Sequence, residues 1–185
     1  MVGPGLKILV VSSYYHPAFI YGGPVPALHH LNQALLKAGH NLRVYTTNAN
    51  GTGDLSVPLK VPVDVDGLPV NYFPRWWFGR RQKPFTRFFS PAMGCQLRQI
   101  GPGDFDLILI HAVWGDPGRM AAAAARRTGI PYICYTHGGF EPWASTAPSD
   151  ASPGGWNCLP RSRRPLGRSW RGFFPHWRRG PSCFF

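Results

Sequence analysis

At 185 residues the chain has the length of one domain, and its formal charge of +12 favours anionic partners such as phosphates, nucleic acid or anionic lipid. Its four cysteines make no Cys-x-x-Cys pair and no Cys/His spacing suited to zinc, which excludes a zinc module. No apolar run approaches the roughly 18 residues of a membrane span, and Leu6 to Val11 is too short, with Lys7 inside it, for a secretory signal, so the expected compartment is the cytoplasm.

Lys7-Ile-Leu-Val-Val-Ser12 is a continuous apolar run, as expected of a strand buried on both faces of a parallel sheet. A loop from Tyr14 to Gly23 leads into a predicted helix from about Pro24 to Ala38. There Leu28, Leu31, Leu35 and Ala38 recur at helical spacing, and Gly39 is placed to end the helix. Leu42 to Thr47 reads as a second strand, which completes a βαβ unit. Asn48 to Asp66 is Gly-, Pro- and Asp-rich and reads as a loop, followed by a third strand over Leu68 to Phe73.

Ser90-Pro91 predicts an N-cap with proline at the first helical position, and Gly101-Pro-Gly103 stops that helix. Asp106 to His111 is a fourth strand. Asp116-Pro117 opens a further helix with an alanine run from Ala121 to Ala125; Arg126 and Arg127 complement its dipole, and Gly129 closes it. Ile130 to Thr136 is the fifth strand, in which Cys134 is expected to be a reduced core residue. Strands alternating with helices predict an α/β fold, a doubly wound, Rossmann-like parallel sheet of about five strands, with ligands outside the carboxyl ends of its strands.

The chemistry changes near Ala147. Pro148 to Phe185 contains no Lys, Glu, Ile or Val but seven Arg, six Pro, five Gly and three Trp. Residues 1–147 are therefore expected to form the domain, and residues 148–185 a disordered basic tail. Each part carries +6, yet the body's excess is concentrated in Arg75, Arg80, Arg81, Lys83 and Arg87. That concentration argues against a general nucleic-acid-binding domain. Eight aromatics interleave those cations over residues 72–89, a composition suited to an anionic membrane surface or, equally, to a loop capping the sheet.

Three features fall at the carboxyl ends of the predicted strands. Gly22-Gly23 precedes a helix N-terminus, where main-chain N–H groups favour an anion and missing Cβ atoms permit close approach; a turn needing positive φ would explain the pair as well. His111 and His137 end neighbouring strands. Each alone is compatible with a structural histidine bonded to a loop carbonyl, but the two together point to a site.

Taken in order, Lys7 to Ser13, Gly22-Gly23, Leu35-Leu-Lys-Ala-Gly-His40 with Val44 beyond, Phe105 to His111 and Thr136-His-Gly138 resemble the N-terminal half of bacterial GT-B glycosyltransferases of the retaining, family-4-like group. The resemblance spans about residues 6–144, and Glu141-Pro-Trp-Ala144 is similar to members acting on polysaccharide precursors. It implies a hexosyltransferase of cell-surface polysaccharide synthesis, whose N-terminal domain holds a saccharide or lipid-linked acceptor. The donor would be a nucleotide sugar, with no other cofactor and no metal. By the same resemblance Gly22 and Gly23 reach toward the donor diphosphate and sugar, His111 lies near the reacting centre, and His137, Gly138 and Glu141 shape the site. The implied location is cytoplasmic, peripheral at the inner face of the membrane.

The Arg/Lys pair and Ex7E-type carboxylates that such enzymes place on the donor diphosphate are not found after His-Gly. The tail is expected to be either a frameshift product of a longer gene or a genuine basic segment, and the isolated chain to be inactive. The alternatives are a non-catalytic fragment, a partner-dependent subunit, or a basic nucleic-acid-binding module. In the expected strand order 3-2-1-4-5 the fifth strand is an apolar edge prone to association.

Overall fold

The computed structural model describes residues 5–76, 88–111 and 115–137. The tail 148–185, Gly138, Glu141 and the cations Arg80, Arg81, Lys83 and Arg87 lie outside these residues. In chain order the elements are β1 (Lys7–Ser12), a 3-10 turn (Phe19–Tyr21), α1 (Pro24–Lys37), β2 (Asn41–Thr47), β3 (Ala49–Asn50), β4 (Gly53–Asp54), β5 (Pro62–Val65) and β6 (Leu68–Phe73). They continue with α2 (Pro91–Gln99), β7 (Leu107–His111), α3 (Asp116–Thr128) and β8 (Tyr132–Tyr135).

The main sheet has six strands in the order β5-β6-β2-β1-β7-β8, all parallel except the β5–β6 pair. Its five parallel strands are those read from the sequence, in the expected order. The sixth is a correction: β5 lies within the stretch read as a loop. Asp66 (φ 53°) and Gly67 (φ 80°) form the two-residue turn, both left-handed as a hairpin of this length requires, and Val63 and Val65 alternate across from Val70 and Leu68. The prolines and aspartates around the turn hide that alternation in the one-dimensional pattern.

The apolar runs of β1 and β7 are continuous because both faces of these strands are covered. Leu9, Val11, Ile108 and Ile110 pack with Met93 and Leu97 of α2 and Ala121, Ala124 and Ala125 of α3. Ile8, Val10 and Leu109 pack on the other face with Leu28 of α1 and with Leu42, Val44, Leu68 and Val70. The buried face of α1 comprises Val25, Leu28, His29 and Asn32, while Leu35 and Leu36 pack at its margin and Ala38 is exposed. The apolar stripe is thus rotated from the predicted one, because two polar side chains take core positions.

Helix ends follow the local signals. The Ser90 hydroxyl accepts the Met93 N–H at the start of α2, and Gly129 ends α3 in the left-handed conformation at φ 74°. At the open edge, all four residues of β8 are exposed. Cys134 is therefore not a core residue: its neighbour β7 covers one side of β8, and no described strand covers the other. The opposite edge is guarded, since β5 carries Pro62, which has no N–H to offer, and Asp64. Among the described residues no helix is long and apolar enough to cross a membrane.

Candidate functional site

The carboxyl ends of β1, β7 and β8 meet at the point where the order of the sheet reverses. From β1 the chain runs through α1 to β2 on one side, while β7 lies on the other, which is the position where doubly wound sheets hold their ligands. Parallel register sets Ser12 beside His111 and His111 beside Tyr135. His111 is 2% exposed, and its ring lies flat on that of Tyr135, with centroids 4.8 Å apart and planes 2° from parallel.

His137 reaches the same point from beyond β8. Its Nε2 is 3.0 Å from His111 Nδ1, and its backbone sits at φ 47°, a conformation few residues other than glycine adopt. Burial, reinforced by the neighbouring His137, pushes His111 down to about 3, and burial likewise lowers His137. Both rings are therefore neutral at physiological pH and share a single proton between the facing nitrogens. Whichever ring holds it, His111 Nε2 is left buried without a hydrogen-bond partner among the described residues.

Such a pair can give or take one hydrogen bond at His111 Nε2. It brings no positive charge to a phosphate, and a ring titrating near 3 is a poor general base at neutral pH. Its chemistry suits an uncharged hydroxyl. Among the described residues no group of three or more His, Cys, Asp or Glu could hold a metal.

Gly22 and Gly23 differ in what they require. Gly22 combines φ 71° with ψ −147°, accessible to glycine, whereas Gly23 is right-handed helical at φ −50°. A Cβ at either would meet nothing within 4 Å, so open space faces both. The first turn of α1 offers few amides to an anion: Pro24 and Pro26 have none, and the Val25 N–H is spent on the Gly22 carbonyl.

Sequence reasoning missed two groups nearby. The first is a buried chain under the β1–α1 loop: the Tyr15 hydroxyl donates to His29 Nδ1 at 3.0 Å and accepts from Asn32 at 3.2 Å, while His29 Nε2 donates to the Asp66 carboxylate at 2.9 Å. Burial pushes the Tyr15 phenol up to about 12, so it stays a donor. Nothing in the helical pattern singles out His29, because its partner Asp66 comes from a hairpin that the pattern does not show. The second group is Ser13 and Asp116, at the start of α3. A buried serine after a strand and an aspartate at a helix start both have ordinary local explanations, so only the three-dimensional bonding pattern singles them out.

A cavity of about 390 Å³ opens at the opposite end of the sheet, between Lys7, Arg43, Gln96 and Asp104, away from these groups. Residues 22–176 match the family model described as a glycosyl transferase 4-like domain. No curated protein matches the sequence.

Proposed function

The chain belongs to the glycosyl transferase 4-like family, and on that premise we propose that it supplies the acceptor side of a retaining hexosyl transfer. In this reading a sugar passes from a nucleotide donor to a saccharide or lipid-linked acceptor of cell-surface polysaccharide. The observation that carries the reading is the neutral His111–His137 pair, which leaves one buried ring nitrogen free at the carboxyl edge of the sheet.

His111 Nε2 would bond a hydroxyl of the transferred sugar, and His137 would fix which tautomer does so. The pair is too weakly basic to take the acceptor's proton, so the proton passes to the departing donor phosphate on the same face of the sugar. Gly22 and Gly23 allow that phosphate close approach because no side chain stands in its way. By the family resemblance Gly138 and Glu141, outside the described residues, would also contact the sugar. No diphosphate clamp is assigned to this sequence, and turnover depends on one.

Tyr72, Phe73 and Arg75 are buried in the fold and take no part in membrane contact, but the remaining cations and aromatics of residues 72–89 support a peripheral position on an anionic membrane, at its cytoplasmic face. So do the exposed side chains of Phe19, Ile20 and Trp76, with Ile20 against the Gly51 turn that also holds Arg75. A partner-dependent subunit is the second reading, favoured by the uncovered β8 edge.

Saturation-transfer NMR on the full chain with UDP-glucose and GDP-mannose tests the main reading. Enhancement of the sugar protons, abolished in His111→Phe, is the expected result. No enhancement from either donor, or the same enhancement in the variant, would refute it.

A further inference from the structure

The cavity of about 390 Å³ at the far end of the sheet has the size of a small-molecule site. Its floor comes from β1 and β2. Asn41, Arg43 and Tyr45 alternate along β2 and so share one face, and register sets Lys7 beside Asn41. Gln96 and Gln99, three residues apart at the end of α2, form a wall, and Asp104 and Phe105 form the rim before β7. The frame is held in place. Arg127 of α3 donates to the Leu97 and Ile100 carbonyls and fixes the end of α2, while the Lys7 N–H donates to Asp106 Oδ2 at 2.7 Å.

Tyr45 is the informative residue. It is 3% exposed and meets Phe73 edge-on, with centroids 5.3 Å apart, yet its hydroxyl has no hydrogen-bond partner among the described residues. The unpartnered atoms of Ser13, Asn32 and Asp116 are sealed from solvent; the Tyr45 oxygen is not, and its side chain lines the cavity. A phenol set this deep normally finds a partner, and here one can reach it through the cavity.

The rest of the lining is also uncommitted. Lys7 and Arg43 are exposed and make no ion pair among the described residues, and the Gln96 and Gln99 carboxamides make no hydrogen bond among them. Asp104 accepts the Gly101 N–H on Oδ2 and keeps Oδ1 for another donor. Two cations against one carboxylate give the lining a net charge of +1.

We infer that this cavity binds a sugar acid, a monosaccharide carrying one carboxylate. Arg43 and Lys7 take the carboxylate, and Tyr45 donates to a neighbouring oxygen. The two carboxamides, which both donate and accept, serve the hydroxyls, and Asp104 Oδ1 accepts from one more. Phe105 offers an apolar surface to the C–H groups of the ring. A doubly charged phosphate would exceed the charge of the lining and lie against Asp104, and an ion without hydroxyls would leave the amides unused. The site stands at the other end of the strands from the histidine pair, so it is a second saccharide site and does not depend on the glycosyltransferase reading.

Ligand-observed NMR titrations of the full chain with glucuronate and galacturonate test the inference, beside glucose and glucose 6-phosphate as neutral and doubly charged counterparts. At least one uronate should bind, about tenfold or more tighter than either counterpart. Arg43→Gln should weaken it about tenfold and Tyr45→Phe about threefold, the losses of a charged and of a neutral hydrogen bond. Arg43 is exposed, and Tyr45→Phe keeps the ring, so both variants should melt as wild type does. His111→Phe should bind the uronate unchanged.

Absence of binding by both uronates, equal affinity for either counterpart, or undiminished affinity in either variant overturns the inference. A lower melting temperature in Tyr45→Phe overturns it too, because the hydroxyl would then be paired within the protein. Loss of uronate binding in His111→Phe would place the sugar beside the histidines and has the same consequence. None of these outcomes bears on the glycosyltransferase reading, which the UDP-glucose and GDP-mannose experiment decides.

Discussion

Replacing His111 by Phe should make the protein less sensitive to acid. Unfolded, the imidazole titrates near 6.5; folded, burial beside His137 holds it neutral until about 3. Between those values the unfolded chain binds a proton that the folded one refuses, so stability declines as the pH drops through 6.5, by up to about 1.4 kcal/mol per pH unit. The loss attributable to this ring is about 2 kcal/mol at about pH 5 and about 4 kcal/mol at about pH 3. Set against a typical total of about 5–15 kcal/mol, that is a large share. Phenylalanine preserves the flat stack on Tyr135 and deletes the titration. Other groups, including His16 and His137, are also lowered, so both proteins will weaken in acid and the difference between them is the quantity to read. Urea unfolding followed by tryptophan fluorescence, at matched ionic strength between about pH 7.5 and pH 5, should show wild type losing about 2 kcal/mol more than the variant. Parallel losses would mean that the ring is hydrated and free to protonate in the folded state.

Gly22→Ala should cost about 1–3 kcal/mol from backbone conformation alone, since its Cβ would meet no atom, whereas Gly23→Ala should cost much less; equal urea midpoints would remove the conformational argument. Arg75 is buried and donates to Asp54 and to the Gly51 and Gly53 carbonyls. Arg75→Met should therefore destabilise by about 3 kcal/mol, and an unchanged unfolding midpoint would contradict that. On the exposed β8 edge, Ile133→Lys should raise the concentration at which the protein self-associates, measured by sedimentation velocity; identical profiles would exonerate the edge.

Much of the scaffold was legible because its signals are local. Ser90-Pro91, Gly39 and Gly129 mark helix ends through the conformation of single residues, and the buried runs at 7–12 and 107–111 need only their own composition to read as central strands. What escaped depends on pairing. β5 needed its partner β6 to become visible, and the exposure of Cys134 follows from the place of β8 in the sheet, which an apolar sequence does not reveal. The same division holds at the site. His111 and His137 stood out as polar residues ending apolar strands, although their contact at 3.0 Å is a property of register. Ser13, His29 and Asp116 looked ordinary because their unusual quality is a relation to distant atoms.

The Asp66–His29–Tyr15 chain gives the outermost hairpin an unexpected reach. A turn on the guarded rim of the sheet is tied by two hydrogen bonds to the floor of the glycine loop, so a substitution at Asp66 would be felt across the width of α1. The rim thus serves as an anchor, and the stiffness of the glycine loop is set partly from the far shore.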